Sequence, residues 1–164
     1  MAKYRMRPRK IEVVNNVDWL SFDEEEIFLL YAILDKFDAY AVGCGVLSVA
    51  FLSEGDMCNI HKKFLNDSSL TDVVTFRGDS DFGYAGEICV SPEYARRACR
   101  EFKTTFCYEL TLYLVHGYLH LSGLDDIEKL DHLRMCEAEK ICMNRLQSRR
   151  AIPNFVDTNT FIDL

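Results

Sequence analysis

Apolar residues recur along the chain with two periods, and the changes from one to the other mark the elements. IEVVNN (11–16) and VLSVAFLS (46–53) are short runs rich in β-branched and apolar residues, with the length of strands. TDVVTF (71–76) and GEICVS (86–91) are two more, divided by the turn-rich stretch GDSDFGYA. Helical spacing takes over between and after them. Ser21 and Glu24 have capping-box spacing and open a predicted helix whose buried side is Ile27, Leu29, Leu30, Ala32, Ile33 and Leu34. Ser53 is placed to cap a helix through Phe64, with Met57, Ile60 and Phe64 on one face. Ser91 and Pro92 suit the N-cap and first turn of a helix to about Lys103. CYELTLYLVHGYLHL (107–121) is too apolar all round for a surface helix and is expected in the core. Gly123 can end it, and Asp125 or Asp126 can cap a last helix that turns Ile127, Leu130, Leu133, Cys136 and Ile141 inward.

Four strands and five helices fit one α/β domain over 1–148. The remainder, 149–164, has a proline and no period and is expected to be a loosely held tail. With 164 residues and 49% hydrophobic side chains, the chain can build one sizeable core. No apolar run approaches the roughly 20 residues of a membrane helix. The basic start MAKYRMRPRK leads into IEVVNNVDWL rather than an apolar signal segment. Seven cysteines without a CxxC pair are read as reduced core thiols, which with the lack of a leader suggests a cytoplasmic protein.

A formal charge of −7 argues against a generally basic nucleic-acid binder, so only local clusters could hold phosphate. Lys3, Arg5, Arg7, Arg9 and Lys10 form a basic arm, and Arg96, Arg97, Arg100 and Lys103 fall within about two helical turns. Taken alone, both groups read as solvated surface.

The chemistry concentrates in HGYLHLSGLDD (116–126). His116 and His120 are one helical turn apart, so two imidazole nitrogens can reach a single ion. A third ligand requires the chain to leave the helix and fold back, which Gly123 permits, and Asp126 stands at the offset where the metzincin zinc motif has its last histidine. Histidines at this spacing also occur as core residues bonded to backbone. On a helix of Leu, Val and Tyr, however, imidazoles need partners, and the glycine and acid at the right offsets favour metal. His132 is an alternative third ligand. The position next to the first histidine, which carries the general base of HExxH peptidases, is Gly117.

These residues resemble the YbeY family, zinc-dependent endoribonucleases specific for single strands and active in ribosomal RNA maturation and ribosome quality control. HGYLHLSGLDD is similar to the family signature HGxLHLxGxDH except at its last residue, TDVVTF is similar to TDVLSF, and GEICVSPEYARR to a GDIxI strand followed by a helix. The resemblance implies a small, mostly parallel four-stranded sheet surrounded by helices. It also implies one zinc ion at His116, His120 and Asp126 as the catalytic centre, and single-stranded ribosomal RNA, with the ribosome or its small subunit, as partners. Two departures stand out. Asp126 replaces a neutral ligand with a charged one. IHKKFL (60–65) places His61 and Leu65 where the family's LNxxYR motif has its asparagine and its phosphate-contacting arginine. Lys62 or Lys63 would then have to stand in for it in part, and otherwise phosphate binding falls to the basic arm or to the Arg96, Arg97, Arg100 group. Asp72 is a candidate for orienting a ligand or the substrate, or else a residue that bonds at a strand end. The competing functions are a non-catalytic, metal-binding ribosome assembly factor, suggested by Leu65, and a peptidase-like hydrolase, disfavoured by Gly117.

Overall fold

A computed structural model describes residues 9–161. In chain order the elements are β1 (Ile11–Asn15), β2 (Leu20–Ser21), α1 (Glu24–Leu34), β3 (Val46–Phe51), α2 (Glu54–Leu65), β4 (Val73–Asp79), β5 (Tyr84–Val90), α3 (Pro92–Phe102), α4 (Phe106–Leu121), α5 (Lys129–Ser148) and β6 (Val156–Asp157). The main sheet has the order β1-β3-β5-β4. Its first three strands are parallel, and β4 joins antiparallel as a hairpin with β5, leaving β4 on the edge. The fold is therefore α/β with a mostly parallel four-stranded sheet and five helices, as expected.

Alternation along the strands divides the sheet into two faces. Leu47, Val49, Phe51, Ile88 and Val90 point into the main core, where they meet Leu110, Leu114 and Leu119 of α4 and the buried faces of α1 and α5. Ala50, Leu52, Val74 and Cys89 point the other way, and Met57 of α2 packs on them. Ser53, Ser91 and Thr105 each accept a backbone N–H at the start of α2, α3 and α4, which explains why those helices begin where the sequence places them. For α1 the cap is Asp23, which accepts the N–H of Glu25. Ser21 is taken into β2 instead.

The last helix is turned differently from expectation. Ile127, Leu130, Leu133, Cys136 and Ile141 all face solvent, Ile127 at 82% exposure and Leu130 at 68%. Met135, Ala138, Cys142, Met143 and Leu146 are buried instead. Both sets have helical spacing, and it is the second that packs into the main core with α4. Neither aspartate caps this helix. Its N-cap position is Glu128, without a side-chain hydrogen bond, while Asp125 accepts the N–H of Asp126.

The segment after α5 is also not loose where it is described. Ala151 and Phe155 are buried, and the Phe155 ring lies 5.6 Å from Phe22 and 5.7 Å from Phe51. β6 pairs antiparallel with β2, and Thr158 donates to the carbonyl of Trp19. An aromatic pocket lined from distant parts of the chain supplies the partners that a periodicity argument cannot see. The cysteines are all free thiols, but only Cys89 and Cys142 are fully buried, fewer than expected. Desolvation pushes each of these two up to about 12. Phe155→Ala should cost about 3 to 5 kcal/mol, since truncating a buried phenylalanine leaves a cavity. A free-energy change below about a tenth of that, read from the urea midpoint at unchanged slope, would mean the segment carries no packing energy.

Candidate metal centre

Helix α4 carries the centre, and Gly117 sets how it lies. A β-carbon built at 117 would stand 2.6 Å from Cγ2 of Ile88 and 3.1 Å from Cγ2 of Val73, so the helix backbone rests directly on β4 and β5. Position 117 thus faces the sheet, and a glutamate there has no room. On the flank that clears the sheet, His116 and His120 project together with their rings edge to face, 4.4 Å between centroids.

Each imidazole is held through Nδ1. His116 Nδ1 lies 2.5 Å from Oε1 of Glu139 on α5, and His120 Nδ1 lies 3.0 Å from the carbonyl of Leu124. A carboxylate and a carbonyl only accept, so both Nδ1 atoms donate and both Nε2 atoms carry the lone pair. The two Nε2 atoms are 2.8 Å apart. Two lone pairs at that separation repel unless a proton or a metal cation lies between them.

The third donor comes from the turn that ends α4. Gly123 adopts φ +105°, its N–H bonds the carbonyl of His120, and the N–H of Leu124 bonds that of Leu119. This is a Schellman ending, and it serves the centre twice. It delivers the Leu124 carbonyl to His120, and it sends the chain back so that the Asp126 carboxylate lies 3.5 Å from His116 Nε2 and 3.7 Å from His120 Nε2. The three side chains offer ligand atoms within 4.8 Å of one another. Two oriented imidazole lone pairs and one carboxylate form a donor set that suits zinc.

The electrostatics agree with a cation at this point. Burial opposes a charge on His116, but the Glu139 hydrogen bond and charge, with the Asp72 and Asp126 carboxylates, outweigh it, so its pKa is raised. Glu139 was missed at the level of sequence. Its signal was the buried stripe of α5: an acid lying between Ala138 and Cys142 must find a partner, and His116 is that partner.

The other candidates fall elsewhere. His132 is exposed on α5 beside Cys136 and takes no part in the cluster. Asp72 accepts from the Val73 N–H and the Thr71 hydroxyl at the head of β4, so it holds the strand end while adding its negative charge near His116. His61 bonds the Ser69 carbonyl across the loop after α2, and Leu65 is exposed. Among the basic residues, Arg9 grips Asp35, Lys10 pairs with Glu12, Arg97 pairs with Glu54, and Arg96 bridges Glu93 and Asp157 while stacking on Trp19. Lys3, Arg5 and Arg7 lie outside the described residues.

The sheet, its exposed edge strand and the donor cluster beside it define a small α/β domain with a candidate metal centre. Within that class the chain belongs to the YbeY family, whose model, described as endoribonuclease YbeY, matches residues 15–147. The endoribonuclease YbeY of Protochlamydia amoebophila is 37% identical over 108 residues, covering 63% of this chain and 72% of the relative. That of Karelsulcia muelleri is 30% identical over 103 residues, 63% and 73% of the two chains. The solution structure of a Thermotoga maritima protein superposes with a TM-score of 0.60 at 26% identity, over 86% of this chain and 92% of that one.

Glu139→Gln keeps the shape of the residue but removes the charge behind His116, and zinc affinity should fall about 10- to 100-fold in a chelator competition. An unchanged affinity would show that the Glu139 charge does not strengthen the site through His116. The raised pKa of His116 gives a second expectation, because its proton and a metal compete for the same lone pair. Zinc affinity should begin to fall once the pH drops below that raised value, and the ion should be released further into acid. In metal-free protein, the stability that the His116 proton contributes is fully present below about pH 6.5, its unfolded value, and is lost as the pH rises through the folded one.

Proposed function

We propose that this protein is a zinc-dependent endoribonuclease that hydrolyses phosphodiester bonds in single-stranded ribosomal RNA, working in the cytoplasm in rRNA maturation and ribosome quality control. The observation that carries the reading is the convergence of His116 Nε2, His120 Nε2 and the Asp126 carboxylate at the end of α4. Membership of a family whose curated members are named endoribonuclease YbeY supplies the reaction class.

A zinc ion in such a centre supplies a Lewis acid for a phosphoryl oxygen and a way to make water nucleophilic near neutral pH. The chain's own residues prepare the site for it. Glu139 and the Leu124 carbonyl hold both imidazoles in the tautomer that leaves Nε2 available. Asp126 neutralises one of the ion's two charges, which weakens the pull on a bound water compared with three neutral ligands. Gly117, pressed on the sheet, leaves no general base at the position where peptidases of the HExxH kind carry one. This removes the main support for a peptidase reading. Asp126 and the uncharged Leu65 favour one second reading, a metal-binding ribosome assembly factor that has lost efficient cleavage.

Incubation of the purified protein with unstructured RNA, duplex RNA and a casein substrate separates these functions. The endoribonuclease reading expects metal-dependent cutting of the unstructured RNA, reduced to background in His116→Ala. Asp126→His, which exchanges the charged ligand for a neutral one, should raise the rate. RNA or ribosome binding without any cutting would replace this reading with the assembly factor, and cleavage of casein alone would replace it with a peptidase.

A further inference from the structure

A chain of net charge −7 that works on RNA must hold a polyanion close to its own acidic surface. At the centre itself, Asp126 and Glu139 add two carboxylates beside the histidines. Cations near the centre therefore matter, and most of the guanidinium groups of the described residues are committed elsewhere. Arg9, Arg96, Arg97 and Arg134 are in ion pairs, and Arg145 lies over the ring of Phe37.

Arg77 is different. It is exposed and makes none of the ion pairs found among the described residues. Its place in β4 sets its direction. Val73 and Thr75 turn their methyl groups under Gly117 of α4, whereas Val74 and Phe76 belong to the α2 side. By the two-residue period, Arg77 leaves the strand on the α4 side.

It pairs in register with Gly86, and a β-carbon on Gly86 would stand 2.9 Å from a methyl of Leu121, the residue that directly follows His120. Arg77 is thus at the end of α4 that bears the centre, on the edge strand, whose outer side has no strand partner among the described residues. The remaining arginines outside ion pairs are farther along other helices. Arg100 is in the last turn of α3, and Arg149 and Arg150 follow the far end of α5. Lys62 and Lys63 close α2, which packs on the opposite face of the sheet.

We propose that Arg77 is a positioning residue that binds a phosphate of the RNA strand beside the metal centre, drawing the strand along the outer edge of β4. A guanidinium suits the task because it presents two parallel N–H donors to phosphate oxygens and keeps its charge at any working pH. This assignment rests on the endoribonuclease reading for its ligand.

The test measures binding of a fluorescent single-stranded oligoribonucleotide to the metal-stripped full chain by anisotropy at several salt concentrations. Arg77→Ala should weaken binding roughly tenfold, the scale of one charged hydrogen-bonded contact. It should also reduce the slope of log K against log salt by about 0.7, one phosphate's share for a single strand. Arg77→Lys should restore the slope with part of the affinity, and Arg100→Ala should change neither. Thermal midpoints should be the same for all, since the side chain is exposed. In the zinc-loaded enzyme, Arg77→Ala should raise KM more than it lowers kcat. An unchanged affinity and salt slope in Arg77→Ala would overturn the proposal, as would a loss that appears only in Arg100→Ala or in the Lys62→Ala, Lys63→Ala double variant. Because binding is read without metal, failure of the parent protein to cut RNA would sink the endoribonuclease reading alone.

Discussion

Helix α4 rests on the sheet with no side chain between them at Gly117, and that contact governs the orientation of everything the helix carries. Because Ile88 and Val73 leave room for a hydrogen atom only, the helix can neither roll nor lift without opening a gap in the main core. With this face against the sheet, the next residue, Tyr118, turns toward α1, where its hydroxyl donates to Asp35, itself held by Arg9 just before β1. The same rotation brings His116 and His120 together beside Glu139 of α5 and the turn that ends α4. A glycine that looks like a missing catalytic residue is a packing residue, and the chemistry of the centre follows from its small size.

The centre is then completed by two elements that have their own reasons to be where they are. Helix α5 docks against α4 through Met135, Ala138, Cys142 and Leu146, and Glu139 sits on the flank of that stripe at the height of His116. The Schellman ending of α4 satisfies backbone groups that any helix end must satisfy, and in this chain the carbonyl it presents orients His120. Histidine tautomers, ligand convergence and helix packing are therefore coupled. A loss of packing in α5 would also be a loss of orientation at His116.

Charge is the second theme. The described basic residues are largely used inside the fold, as in the Arg96 link between α3 and β6, which closes the C-terminal segment over the Trp19 ring. What sequence inspection takes for a basic patch is in good part a set of structural ties, whereas Arg77, outside the patch on the edge strand, is exposed and makes none of the ion pairs found among the described residues. The carboxylate of Asp126 belongs to the same balance, because it favours holding a cation more than it favours activating water.

The amino-acid order by itself determined the elements and the candidate ligands. Strand runs, the capping serines, the helical pair at 116 and 120, and the glycine that permits the return to Asp126 are all local, decided within a few residues by backbone geometry and hydrogen-bonding chemistry. The tertiary structure alone decided what depends on residues distant in sequence. It chose between two equally periodic faces of α5, exposing Leu130 and Leu133 and burying Met135, Ala138, Cys142, Met143 and Leu146, because the face that is buried is decided by the partners packed against it and not by the period alone. It ordered the segment around Phe155 by surrounding that ring with Phe22, Phe51 and Phe106. It brought Glu139 behind His116 across a gap of 23 residues. Local pattern encodes which conformations are cheap, whereas packing, which acts between residues far apart in the chain, selects which faces meet.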